Sequence, residues 1–447
     1  MSTLTEAVDR EIPRALDDLV RLVAIESISV DPTRNDQVHQ TAEEVVRLLT
    51  ELGCPDAQVV SAGGKPAVIG RFPAPAGTPT VCLYAHHDVQ PTGAEELWTT
   101  PPFEATRRGE RLFGRGVADD KGGLAVHLAA LRAFDGRPPV GVTLFIEGEE
   151  EIGSPSLGAT ITAYADELAA NVFVIADSSN WDVGVPSFTT TLRGLADCVV
   201  EVRTLDHALH SGQFGGVAPD ALTSLCRLIA TLHDDTGDVA VRGLVEGEPT
   251  ELGYPEDRLR RESGVLDGVQ YLGTGSVVHR MWTKPAISVI ALDATPLSKA
   301  SNTLAPSARA KISMRLAPED DAVRALDHLV EHLESHAPYG AQVTVTRGDR
   351  GEPSTIPFSG PYADAARDAF AAAFGTEPVL VGQGGSIPMV AEFAERFPDA
   401  TILVTAVGDP DTRAHGIDES LHLGDFARAC HAEAGLLERL GRLGRLG

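Results

Sequence analysis

Long apolar runs, paired cysteines and clustered basic residues are all missing from this 447-residue chain. No apolar stretch approaches the roughly 20 residues that cross a bilayer, so no membrane span is expected. The five cysteines, Cys54, Cys82, Cys198, Cys226 and Cys430, are scattered and form no Cys-x-x-Cys pair. A disulfide framework is therefore not expected, and a reducing compartment is favoured. Met1–Glu6 lacks a basic segment leading into an apolar one, so no secretory signal is expected and the cytoplasm is the expected location. A formal net charge of −27 has the wrong sign for a nucleic-acid surface, which needs clustered Lys and Arg. No Gly-x-Gly-x-x-Gly opens a helix after a strand, and no Gly-x-x-x-x-Gly-Lys-Ser/Thr occurs, so nucleotide binding has no support.

What remains is an ordinary globular composition, 43% apolar and 23% charged, in a chain long enough for two domains. Helical spacing covers Leu4 to Ala24 and Val38 to Leu52, and strands are expected at Val59–Val60, Ala67–Phe72 and Thr80–Ala85. A helix opening at Lys121, a strand over Val140–Ile146, a helix over Pro155–Ala170 and a strand over Val172–Ala176 follow. Alternation of this kind predicts an α/β fold, a mostly parallel sheet with helices on both faces. Beyond Pro186 the texture changes to half-buried alternating strands and two helices, Pro219–Leu232 and Asp320–Ser335. That pattern predicts an inserted α+β domain over residues 188–352, between catalytic parts 1–187 and 353–447. Residues 233–280 carry too little pattern to assign.

Three apolar runs end in ligand-grade side chains: His86-His87-Asp88, Glu149-Glu150-Glu151 and Asp177. Beyond the carboxyl ends of parallel strands, chemistry collects. Gathered carboxylates there are costly like-charge neighbours unless a cation holds them. His86 and Asp88 stand two apart on one side of an extended chain, so His86 could ligate a metal while Asp88 orients its other nitrogen. A surface turn before Pro91 fits the same residues. Asp119, in Gly114-Arg115-Gly116-Val117-Ala118-Asp119-Asp120-Lys121-Gly122-Gly123, could bridge two ions about 3.5–4 Å apart. A helix N-cap is the alternative there, and both roles can coexist on adjacent residues. Of Glu150 and Glu151, one could ligate metal while the other takes a proton from water. His210, in a glycine-rich loop, could polarise a carbonyl, and Arg315 could clamp a carboxylate. Gly384-Gly385-Ser386 resembles an anion nest, while His415 follows the last strand of the final α/β segment.

Taken together, these blocks resemble the M20 family of metallopeptidases, in its dipeptidase branch. The matching stretches are His86–Pro91, Gly114–Gly123, Glu147–Ser154, Ile175–Asp177, His210–Gly216, Asn302–Arg315, Gly384–Pro388 and His415–Glu419. The resemblance implies that His86 and Asp177 hold one divalent ion, Glu151 and His415 the other, and Asp119 both. It implies zinc first, with manganese or cobalt as alternatives. By the same resemblance Glu150 is the general base, Asp88 orients His86, and the peptide bond after Asp119 is cis. Arg315 and Ser386, beside Gly385, would hold the free C-terminal carboxylate of a short peptide. A homodimer is implied, with His210 serving the partner subunit's site. Gly122-Gly123 and the residues between His415 and Glu419 depart from the usual pattern. Those departures leave N-acyl-amino-acid deacylase, desuccinylase or carboxypeptidase chemistry as the alternative to dipeptide hydrolysis.

Overall fold

The computed structural model describes residues 3–249, 252–385 and 387–444. It divides into two compact units, one formed by Met1–Thr190, Ile356–Val381 and Pro388–Gly447, the other by Thr191–Thr355 and Gly382–Ile387.

The first unit is built on a twisted sheet whose strands run in the order Gln58–Val60, Ala67–Phe72, Gly141–Glu147, Thr80–His86, Val172–Ile175, Thr401–Val404 and Ser187–Leu192. Gly141–Glu147, Thr80–His86, Val172–Ile175 and Thr401–Val404 are parallel neighbours. The flanking strands pair antiparallel. The expected parallel sheet is thus the centre of a larger mixed one. Period-two alternation reports that a strand exists but not its direction, which the connections set. Every residue of Gly141–Glu147 is buried, as a strand covered on both faces requires.

Helix Lys121–Arg132 is buried along its whole length, and Asp120 caps its start by accepting from the Gly123 N–H. The same helix is fixed to helix Leu4–Val23 at both ends. Lys121 Nζ donates to the carbonyls of Leu22 and Ile25, each at 2.9 Å. Arg132 forms a buried ion pair with Asp18. Removing Asp18 would strand the Arg132 guanidinium in the core, a strongly destabilising change. The expected Pro155–Ala170 helix is instead two short ones, Leu157–Ala163 and Ala165–Leu168.

The second unit contains an antiparallel sheet ordered Ala286–Asp293, Ser307–Leu316, Gly194–Arg203 and Gln342–Gly351. Ala308, Ala310, Ile312, Met314 and Leu316 alternate inward and meet helices Ala221–Ala230 and Ala322–Ser335 in a separate core. Edge strand Ala286–Asp293 leaves Val289, Ile290 and Leu292 at 40–57% exposure. The span that resisted assignment holds helices Glu256–Ser263 and Val277–Trp282. Among the described residues no helix is long and apolar enough to cross a membrane.

Candidate metal centre

Three neighbouring parallel strands deliver their carboxyl ends to one edge of the first unit. His86 lies opposite Glu147 in the ladder, and Tyr84 lies opposite Ile175. The chain beyond each strand then supplies Asp88, the short helical turn Glu150–Ile152, and Asp177. A left-handed backbone at His415 (φ 61°) turns that imidazole back toward the same edge.

Asp119 sits at the middle. Its Oδ1 lies 3.1 Å from His86 Nε2, and its Oδ2 lies 3.0 Å from His415 Nε2. The same His415 Nε2 also lies 3.2 Å from Glu151 Oε2, and the same His86 Nε2 lies 3.9 Å from Asp177 Oδ2. Ligand atoms of His86, Glu150 and Asp177 lie within 4.8 Å of one another, as do those of His86, Asp119 and Glu151. The Asp119–Asp120 peptide bond is cis. Asp119 and Asp120 therefore divide the two alternatives open to them in sequence, with Asp120 capping the helix and Asp119 facing the imidazoles.

The electrostatics match this geometry. Burial opposes ionisation of Asp119, yet hydrogen bonds from His415 and His86 hold it well below the usual carboxylate range. Burial likewise disfavours the His86 imidazolium, but Asp119 and Asp88 outweigh it and hold the ring well above its ordinary value. His415 is lifted to about 10 by the Asp119 and Glu151 carboxylates. Burial pushes Asp177 up to about 7; His86 opposes that shift, while Asp119 and Glu151 add to it. Burial also holds Glu150 well above the carboxylate range, with Asp177 contributing next. Burial and like charge thus favour protons on Asp177 and Glu150 that divalent cations would displace, and an oxygen-and-nitrogen donor set fits such ions.

Surrounding contacts fix these groups. His86 Nδ1 lies 3.0 Å from the Asp88 carbonyl and 3.4 Å from its carboxylate. The Asp88 carboxylate also accepts the backbone N–H groups of Glu150 (3.2 Å) and Glu151 (3.1 Å), tying the acidic turn to the His86 strand. Glu151 accepts from the Gln90 backbone N–H at 3.1 Å and from Gln90 Nε2 at 2.9 Å. Among the described residues no hydrogen bond reaches the Glu150 carboxylate. His87 turns away, its Nε2 2.8 Å from the Pro66 carbonyl, and burial lowers it to about 4.

The other sequence candidates belong to the second unit. His210 is exposed, and its Nδ1 accepts the Gly212 N–H at 3.0 Å, which leaves the neutral ring's proton on Nε2. Arg315 is half-buried in a central strand between Ala286 and Leu195. Arg193, which carried no signal in the sequence, is buried nearby and donates to the carbonyls of Met281 (2.8 Å) and Lys284. Burial, with the Arg315 charge second, pulls its guanidinium down to about 10. Gly385 is half-buried, and Ser386 lies outside the described residues.

The model of peptidase family M20/M25/M40 matches residues 82–439. The chain is 34% identical over 440 residues to a cysteinylglycine-S-conjugate dipeptidase of Corynebacterium striatum, covering 96% of each. It is 27% identical to the human Beta-Ala-His dipeptidase, covering 90% of this chain and 85% of the relative. The fold is similar to that of the dipeptidase Dug1p from Saccharomyces cerevisiae, with a TM-score of 0.84, 23% identity and 98% of each chain covered.

Proposed function

The chain belongs to peptidase family M20/M25/M40, and from that premise we propose that it hydrolyses dipeptides at a two-cation centre, with Glu150 moving the proton. One observation carries the reading: the two oxygens of Asp119 each meet a different imidazole. His86 and Asp177 would hold one ion, Glu151 and His415 the other, and Asp119 both. Zinc is our first choice; the donors suit manganese and cobalt equally.

Bound cations would acidify the attacking water and draw electron density from the substrate carbonyl. Glu150 would take the proton from that water and return it to the leaving amine. Its high proton affinity and unengaged carboxylate suit that shuttle, whereas Glu151 is pinned by Gln90 and faces His415. Asp88 keeps both ends in register, because one carboxylate holds the Glu150–Glu151 backbone beside His86. Arg315, with Gly385 and Ser386, would bind the substrate's free C-terminal carboxylate. The relatives named above are dipeptidases for cysteinylglycine S-conjugates and for Beta-Ala-His, so this chain should hydrolyse free-amine dipeptides faster than their N-acetylated forms. Measured kcat/KM values for such pairs decide the point. A preference for the blocked compounds would instead identify an N-acyl-amino-acid deacylase using the same centre.

We assign residues 188–352 as a lid that also pairs with its symmetry mate. Exposed Val289, Ile290 and Leu292 on an edge strand are the feature that a sheet extended across a two-fold axis would cover. His210 would then donate Nε2–H to the developing oxyanion in the partner's site. Losing such a donor typically costs roughly 2.7–4 kcal/mol of transition-state stabilisation. Mixing inactive His210→Ala and Glu150→Gln proteins should restore partial activity, because one hybrid site keeps both groups. Verified mixed dimers that recover nothing would remove the trans role. All five cysteines are free, which supports the cytoplasm as the working location.

A further inference from the structure

Glu419 is fully buried and sits among donors from one turn of the chain. Its Oε1 accepts the backbone N–H groups of Ala118 and Asp119, both at 3.1 Å. Its Oε2 accepts from Gly116 N–H at 3.0 Å and from Arg115 Nη1 at 2.5 Å. The Glu419 carbonyl also accepts from Gly114 N–H at 3.0 Å. One carboxylate thereby sets the backbone that presents Asp119.

Arg115, itself buried, reaches in two further directions. Its Nη2 donates to the Gly416 carbonyl, next to His415, and to the Pro91 carbonyl, each at 3.1 Å. The loop it grips is unfavourable by itself. Arg413, His415 and Asp418 all have left-handed backbone angles, φ 56°, 61° and 59°. Side chains other than glycine persist in that region only where surroundings hold them. Asp418 supplies the other hold, accepting from Thr99 N–H at 2.9 Å and from Thr99 Oγ1 at 2.6 Å.

We propose that Arg115 and Glu419 are a positioning pair that sets Asp119 and His415 relative to each other, so that both can serve the cation they share. The proposal rests on the two-cation reading of Asp119 and His415. Neither side chain would touch an ion: Glu419 acts through the Asp119 backbone, and Arg115 acts through the Gly416 carbonyl.

Glu419→Gln tests this with almost no change in volume. Each oxygen of Glu419 accepts two N–H groups, so either orientation of the amide turns an NH₂ against two donors. Arg115→Lys keeps the charge and loses the fork that reaches Gly416. Zn²⁺ should be titrated into metal-free wild type, Glu419→Gln and Arg115→Lys, with the melting temperature of each metal-free protein measured alongside. The expected result is Zn²⁺ binding weakened by about 10- to 100-fold in the variants, the size seen when groups that orient ligands are removed. A purely structural role would lower the metal-free melting temperature and leave the Zn²⁺ affinity of folded protein unchanged, which would overturn the proposal. If Glu419→Gln does not fold, Arg115→Lys carries the same comparison. Wild type that binds no Zn²⁺, Mn²⁺ or Co²⁺ would instead overturn the two-cation reading, a failure distinct from variants that bind as wild type does.

Discussion

Glu150→Gln should lower kcat for a dipeptide by about 10²- to 10⁴-fold, the usual contribution of a positioned acid or base. Glutamine matches the shape of the side chain but cannot take the proton. Glu150 lies close to His86 and Asp177, so the substitution probes whether it ligates a cation or shuttles the proton. As a shuttle, its loss leaves the metal content of the protein near that of wild type. Steady-state kinetics on protein of measured metal content separates the two roles. Activity within a few-fold of wild type would remove Glu150 from the chemistry, and loss of an ion with the side chain would make it a ligand.

Asp119→Asn should be the most damaging change to metal binding. An amide offers one acceptor oxygen, and its NH₂ would face the other imidazole, so the two sides can no longer share the group. The expected result is a chain that keeps at most one tightly held ion. Its kcat/KM should fall by more than the roughly 10- to 100-fold lost when only an orienting group is removed. Metal analysis after dialysis, together with kcat/KM, checks both parts. Two ions retained at wild-type affinity would show that Asp119 does not bridge.

The elements that carry this chemistry were legible because their apolar runs stop abruptly at acids and imidazoles. Thr80–Ala85, Val140–Ile146 and Val172–Ala176 each read as a buried strand with a polar end, and the structure places those ends side by side. Strand direction was not legible, so the antiparallel pairing at the flanks of the sheet was not foreseen. Residues 233–280 gave no period because much of their structure rests on single side chains bound to backbone. Arg260 donates to the carbonyls of Val265, Leu266 and Val269, and Arg280 donates to that of Leu272. Glu419 was visible only as the end of a motif. Its partner Arg115 lies 304 residues earlier, and no local pattern links the two. Asp88 lies against His86 Nδ1, its carbonyl nearer than its carboxylate; its grip on the Glu150–Glu151 backbone depends on how two strand ends align, which spacing within one strand does not encode.

Dipeptide hydrolysis by this chain should have one strict requirement, two divalent cations shared through Asp119. Its most direct test is to strip the protein of metal, add Zn²⁺, Mn²⁺ or Co²⁺ back singly, and follow bound ions per chain and dipeptide hydrolysis together. The expected result is no turnover in verified metal-free protein and full recovery only as binding approaches two ions per chain. Undiminished hydrolysis without metal, or full activity at one ion per chain, would contradict it.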